Sequence, residues 1–177
     1  IVERMKLMKP DIKYSRSFVQ AVEELRLRQE DSFFRALGRP LTVDQYIKLT
    51  EKHAQRKDLP QGWVPYATFW LVDEDEFIGE LHFRYVLTNY LRNYGGHIGY
   101  TIRPSMRNKG YGKQLLGLAL PKIKSLGYSK VLVTCDETNI ASKKIIEANG
   151  GAFHQANAQG KNMPQKLLYW IDLNTDS

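Results

Sequence analysis

A single cysteine, Cys135, stands among 177 residues, so an internal disulfide is excluded. The four histidines form no cluster with it or with carboxylates at metal-ligand spacing. A reducing, cytoplasmic setting and no metal are the expectations. Long hydrophobic runs are missing too: 67–72 and 115–120 are among the longest, far short of the roughly 20 apolar residues a membrane-spanning helix requires. A soluble protein with no membrane partner is expected. The chain opens on Ile1, and residues 1–10 lack the charged flank, apolar stretch and cleavage site of an export signal. No internal repeat, low-complexity segment or dividing linker is visible. Neither GxSxG nor HExxH occurs, which leaves hydrolase readings without support.

What is present suits one sizeable core, since 42% of residues are hydrophobic. A formal charge of +7 and a pI near 9.4 favour a polyanion, either nucleic acid or a phosphate-rich cofactor. Lysine and arginine are scattered through 6–28, 84–113 and 122–144, without a basic block, a zinc finger or an RNA-binding aromatic motif. Specific nucleic-acid binding is not expected.

The period of the pattern changes along the chain. Residues 4–8 read as a short strand. From Ser15, Phe18, Val22 and Leu25 recur at helical spacing. Gly38, Arg39 and Pro40 break the chain, and Thr42 caps a second helix ending near Arg56. A hairpin follows: 67–72, an acidic turn at 73–76, then alternation over 77–87. In its second arm Phe77, Leu81, Phe83 and Tyr85 share one face, and Glu80, His82 and Arg84 the other. The segment 97–103 alternates again. A helix over about 110–126 follows, in which Pro121 crowds the carbonyl of Gly117, and Gly127 ends it. Lys130–Cys135 reads as a strand buried on both faces, which makes a parallel crossover unit. A fourth helix over about 139–148 and two strands, 152–157 and 165–172, complete the chain.

The most informative stretch is Ile98-Gly-Tyr-Thr-Ile-Arg-Pro104, followed by Arg107-Asn-Lys-Gly110-Tyr-Gly112-Lys113. Two glycines at a helix mouth let backbone amides converge on one anion, and Arg107, Lys109 and Lys113 add charge around it. The kinase-type P-loop does not fit, since its first glycine is missing and Gln114 follows Lys113. Nor does a dinucleotide fingerprint, which has glycine where Leu115 stands.

The stretch resembles the Arg/Gln-x-x-Gly-x-Gly/Ala signature of the Gcn5-related N-acetyltransferase (GNAT) family, met by Arg107, Gly110 and Gly112. Ile98-Gly-Tyr with Pro104, Leu126-Gly127, and Asn139-x-x-Ser142-x-x-x-x-Glu147-x-x-Gly150 match that family in order, over about 66–157. The resemblance implies an α/β (α+β) fold. It has a mixed, mostly antiparallel sheet of six or seven strands, about four flanking helices, and two parallel strands splayed at the coenzyme site. It also implies acetyl-CoA as cosubstrate. Thr101, Ile102 and Arg103 would pair with the pantetheine arm. Arg107, Asn108, Lys109, Gly110, Tyr111, Gly112 and Lys113 would hold the pyrophosphate, and Asn139 and Ser142 would contact the coenzyme.

An amine of lysine type has a pKa near 10.4 and must lose a proton before attacking a thioester. Where many relatives carry glutamate this chain has His97, which reads equally as the base or as a packed strand histidine. Glu80 and His82 are second choices; each also reads as a surface residue. An N–H near Ile102 is the family's usual oxyanion donor. Many members place a tyrosine seven residues after Asn139 as general acid. Here Ile146 stands there, which leaves Ser142 or water; Ser142 also reads as a first-turn helix serine.

Three readings follow. The first is an N-acetyltransferase acting on a primary amine of a small molecule or peptide by direct attack in a ternary complex. The second is a non-catalytic coenzyme A sensor, and the third a basic nucleic-acid binder. The first implies one domain over 1–177, with acceptor-side helices and loop in 1–65, the acetyl-CoA core in 66–157 and a C-terminal strand in 158–177. A homodimer is compatible with it. Phe33, Phe34, Tyr46, Trp63 and Tyr66 are candidates for the acceptor pocket or for core.

Overall fold

The computed structural model describes residues 4–175; the outermost positions of the 1–177 span lie outside the described residues. Strands Met5–Met8 (β1), Tyr66–Asp73 (β2) and Glu76–Arg84 (β3) form an antiparallel meander. The β2–β3 register shifts between Leu71 and Val72, where Leu71 faces Gly79 but Val72 faces Phe77. The residue skipped, Ile78, joins the cluster that holds Leu81 and Phe83. Phe77 is thereby turned to the opposite side, against Phe18 and Trp70. Strict alternation put Phe77 with Leu81; the bulge corrects this, because one extra residue reverses every side chain beyond it.

Ile98–Ile102 (β4) pairs antiparallel with β3, and Lys130–Asp136 (β5) pairs parallel with β4. Gly151–Asn157 (β6) and Lys166–Asp172 (β7) complete seven strands in the order β1-β2-β3-β4-β5-β7-β6. All pairings but β4–β5 are antiparallel, as the sequence implied.

Five α-helices lie among the described residues, one more than the periodicity gives. Ser15–Leu27 (α1) and Val43–Ala54 (α3) cover one face of the sheet. α3 begins in a capping box in which Thr42 Oγ1 accepts from the Gln45 N–H and the Gln45 side chain accepts from Thr42 N–H. The extra helix, Ser32–Ala36 (α2), has no side-chain cap and spans five residues, too short to leave a period. Tyr111–Ser125 (α4) and Ile140–Ala148 (α5) cover the other face. α4 runs unbroken through Pro121, although its ring removes one backbone donor and crowds the carbonyl of Gly117.

The core is split by the sheet. Under α4, Leu115, Leu116 and Ile123 pack on Leu81, Phe83 and Val131. Under α1 and α3, Phe18 stacks on Trp70 with ring centroids 4.5 Å apart, and Tyr46 and Phe77 close around the pair. Each aromatic pair adds about 1 kcal/mol beyond the apolar area it buries.

Candidate active site

β4 and β5 pair at one position, Ile98 opposite Val133, and part beyond it. Gly96 makes the junction possible: at φ 66° a side chain there would lie 2.6 Å from the Leu132 carbonyl oxygen. Along an antiparallel strand the peptide groups alternate between neighbours. Arg84 N–H donates to His97 O and Arg103 N–H to Ile78 O, so residues 97, 99, 101 and 103 bond toward β3. The peptide groups of Tyr100 and Ile102 therefore face the parting strands. Of the three residues expected to pair with a pantetheine arm, Ile102 alone presents its N–H there, and Tyr100 was not among them.

Arg103 departs furthest from expectation. Its N–H is taken by Ile78 and its carbonyl by Met106. Its guanidinium is buried between Glu24 (2.8 Å) and Glu76 (3.0 Å) and also donates to Ser17 Oγ. It fastens α1 to the end of β4 rather than facing the opening.

The loop that follows enters α4 with two left-handed residues, Asn108 (φ 61°) and Gly110 (φ 83°). Gly110 is the N-cap and offers no side chain; the first helical bond is Gln114 N–H to Gly110 O. The N–H groups of Tyr111, Gly112 and Lys113 are thus without helical acceptors and point outward as a set, with the positive end of the helix dipole behind them. Lys109 and Lys113 are exposed beside them. Arg107 acts differently: its Nε donates to Ile102 O at 3.0 Å and its Nη2 pairs with Glu30, so it holds the loop in place. The two glycines also differ. A Cβ on Gly110 would meet nothing within 4 Å, whereas one on Gly112 would lie 2.4 Å from Ile145 Cδ1. Gly110 serves backbone conformation; Gly112 lets α5 approach α4.

Across the opening, Asn139 Oδ1 caps α5 by accepting from Ser142 N–H at 3.1 Å. The Ser142 hydroxyl lies 2.6 Å from the Tyr100 phenol. Burial pushes the Tyr100 phenol up to about 12, although its bond to Ser142 pulls the other way. Ile146 is fully buried core, and Cys135 is buried with its thiol pushed up by desolvation, the reverse of activation.

On the opposite face of β3, Glu80 is 6% exposed and is no surface residue. Its carboxylate accepts from Tyr46 Oη (2.8 Å) and Trp70 Nε1 (2.7 Å), and His82 Nε2 stands 2.8 Å from it. His82 has Thr68 Oγ1 3.1 Å from its Nδ1 and stacks on Phe33 at 4.3 Å. A cavity of about 210 Å³ reaches from Phe33, Glu80 and His82 to Gly99, Tyr100 and Thr101 on β4. A second, of about 360 Å³, runs from Phe33, His82 and Arg84 out to Trp63, Tyr66 and Tyr90. Of the aromatic candidates, Phe33, Trp63 and Tyr66 line this outer cavity, while Tyr46 is core.

His97 lies at the closed end of the splay, 8% exposed. Its Nδ1 accepts from Leu132 N–H at 2.9 Å, so the ring is neutral and carries its proton on Nε2. Burial first, then Arg92 and Arg84, lower its pKa to about 4. No ring lone pair is left to take a proton from an amine, which runs against the reading of His97 as base and favours the packed strand histidine.

An anion cradle at a helix mouth beside two parting parallel strands is matched at the level of sequence: a family model described as an acetyltransferase (GNAT) domain fits residues 16–152. The chain belongs to the GNAT family. As a GNAT domain it is an acyltransferase. Among curated proteins none matches the sequence. Solved GNAT structures share the fold. A ribosomal-protein alpha-N-acetyltransferase, RimL, in complex with coenzyme A superposes with a TM-score of 0.71 at 15% identity, covering 98% of this chain and 96% of the other. A microcin self-immunity acetyltransferase, MccE, in complex with acetyl-CoA and AMP gives 0.69 at 12% identity, covering 96% and 93%. The putative acetyltransferase yncA from Salmonella typhimurium, with its cofactor acetyl-CoA, gives 0.64 at 13%, covering 98% and 96%.

Motif reading passed over Tyr100 and Arg84, which the structure brings to the opening and to the cavities. Tyr100 lies within the alternating segment 97–103, and only the meeting of β4 with α5 shows where its hydroxyl goes. The three side chains that gather on Glu80 come from α3, β2 and β3, a convergence with no sequence spacing to betray it.

Proposed function

We propose that this GNAT domain transfers an acetyl group from acetyl-CoA to a primary amine by direct attack in a ternary complex, the chain from 1 to 177 forming one domain. The observation that carries the reading is the set of acceptor-free N–H groups at Tyr111, Gly112 and Lys113, set beside the β4–β5 opening. These amides, with Lys109 and Lys113, suit a diphosphate. The inward-facing peptide groups of Tyr100 and Ile102 suit an extended arm with amide groups of its own.

Acetyl-CoA, when bound, supplies an acyl group activated as a thioester. The protein's part is positioning and proton handling. The Ile102 N–H, facing the opening, would donate to the thioester carbonyl oxygen as it gathers charge. His82, held beside Glu80, takes the amine proton through the Thr68 hydroxyl that meets its Nδ1; the second choices of the sequence thus replace His97. As the new N–C bond forms and the C–S bond breaks, the Tyr100–Ser142 pair donates a hydrogen bond to the departing sulfur. A phenol at about 12 gives up a proton to a thiolate of pKa about 8.5 at a cost of about 5 kcal/mol. Stabilising the thiolate, not protonating it, is the work of this pair.

The solved relatives whose names give an acceptor include one that acetylates a ribosomal protein's α-amine, which supports an amine acceptor without selecting one. The sensor reading rests on Ile146, and the Tyr100–Ser142 hydroxyls answer it by offering another donor. Calorimetry with coenzyme A, followed by thiol release from acetyl-CoA over an amine panel, tests the proposal. Tight binding with amine-dependent release is expected; absent binding, or binding without release from any amine, overturns it.

A further inference from the structure

The outer cavity is lined by a cation that nothing among the described residues neutralises. Arg84 lies at the end of β3, half-buried, and lines both the inner cavity beside β4 and the outer aromatic one. Arg103 and Arg107 each pair with glutamate. Among the described residues Arg84 has no carboxylate partner: its Nη1 donates to the carbonyls of Gly95 and Gly96, both at 3.1 Å, and no other bond is formed by its fork. A half-buried guanidinium given two neutral acceptors for five N–H donors keeps the rest open for a ligand. Its spare edge, Nη2, passes over Gly99, where a Cβ would stand 3.3 Å away. A glycine at 99 therefore leaves that edge open toward the cavity.

Residues 80, 82 and 84 share one face of β3, and two residues along a strand span about 7 Å. The proposed base and the free guanidinium are thus one such step apart, with Phe33 stacked on His82 and Trp63, Tyr66 and Tyr90 forming the outer wall. Resting on the acetyltransferase reading, we infer that the acceptor is an amine that also carries an acid group, carboxylate or phosphate, on an aromatic or apolar body. The acid is gripped by Arg84, the body lies against Phe33 and Trp63, and the amine is delivered to His82. Planar, two-pronged recognition of an oxyanion is what guanidinium geometry favours. The same charge repels polyamines and other polycations.

Matched pairs differing only in the acid test this: tryptophan against tryptamine, phenylalanine against phenethylamine, and phosphoethanolamine against ethanolamine, with spermidine as the cationic control. Acid-bearing members are expected to show kcat/KM for thiol release at least tenfold above their partners. The amino acid pairs against the phosphate pair tell which oxyanion is read. Arg84→Gln should erase the preference while coenzyme A affinity and melting temperature hold, and Arg84→Lys should retain part of it. Tryptamine turned over as well as tryptophan, or a preference that survives Arg84→Gln, overturns the inference. If no amine releases thiol, the acetyltransferase reading fails by itself. Calorimetry of the same pairs on coenzyme A-loaded protein then decides this inference alone, since tryptamine bound as tightly as tryptophan overturns it.

Discussion

The phenol of Tyr100, on β4, and the hydroxyl of Ser142, on α5, meet at 2.6 Å across the gap where the sheet parts. The family's tyrosine is absent from α5, where Ile146 is core, yet a tyrosine hydroxyl arrives from the facing strand. Tyr100→Phe keeps the ring and removes the hydrogen bond. A bond to a charged group contributes about 1.5–3 kcal/mol, so kcat is expected to fall about tenfold or more, with the acetyl-CoA KM little changed. Because the phenol stays protonated far above neutrality, the pH–rate profile should keep its shape. Ser142→Ala should act alike, and the double variant should lose less than the two combined, since the hydroxyls act as one unit. Steady-state kinetics on the four proteins checks this.

His97 bears on stability. Its pKa, lowered from 6.5 to about 4 by burial and two arginines, means that the folded state binds its proton less readily than the unfolded chain does. Above pH 6.5 both states hold a neutral ring, and the contribution, about 3 kcal/mol, is fully present. As pH falls from 6.5 to 4 the unfolded chain is protonated first and the contribution is lost. His97→Gln, whose amide oxygen can accept from Leu132 N–H, should flatten this part of the curve. Urea unfolding at pH 4.5 and 7.5 measures it; an equally steep loss in the variant would place the acid sensitivity elsewhere.

Where local pattern decides structure, the sequence was legible. The helix cap at Thr42, the alternation of 98–102 and the apolar run 131–133 each became the element expected, and the glycines at 110 and 112 stand at the helix mouth. The parallel crossover followed from strand, helix and strand in that order. What local pattern cannot carry was misread. The bulge at Ile78 reverses Phe77, and no residue type announces an unpaired position. Arg103 sits within a motif yet is claimed by Glu24 and Glu76, from segments 79 and 27 residues away. His97 occupies the family's glutamate position, but its ring points to a backbone amide, a matter of tertiary placement. Glu80 shows the same limit in reverse: an alternating polar residue turns out to be buried because Tyr46 and Trp70, 34 and 10 residues away, close over it.

The two loop glycines should respond differently to substitution. At Gly110 space is free but φ is 83°, so the penalty is conformational and depends on residue type. Gly110→Asn, which tolerates the left-handed region, should keep coenzyme A binding, while Gly110→Val should weaken it at least tenfold. At Gly112 even alanine meets Ile145 Cδ1, and overpacking of this kind costs about 1–3 kcal/mol. Gly112→Ala should therefore lower the melting temperature, and Ile145→Val should recover part of the loss by shortening the opposing side chain. Thermal melts with and without coenzyme A separate the two effects.

Glu80 and His82 give the sharpest test of the proton path. A general base contributes about 10²–10⁴ in rate, so His82→Ala should lower kcat by that order. Coenzyme A affinity should be unchanged, because His82 lies on the face of the sheet away from the phosphate loop. Glu80→Gln is the more informative change. It keeps the shape but replaces one carboxylate oxygen with an NH₂ group; with His82 accepting at Nδ1, at least one of Tyr46, Trp70 and His82 then faces another donor. A buried donor left unmatched costs about 1–3 kcal/mol, so the melting temperature should fall together with kcat. If Glu80 serves packing alone, stabilising the protein with saturating coenzyme A should restore kcat. If it orients His82, the rate should stay low in the fully folded protein.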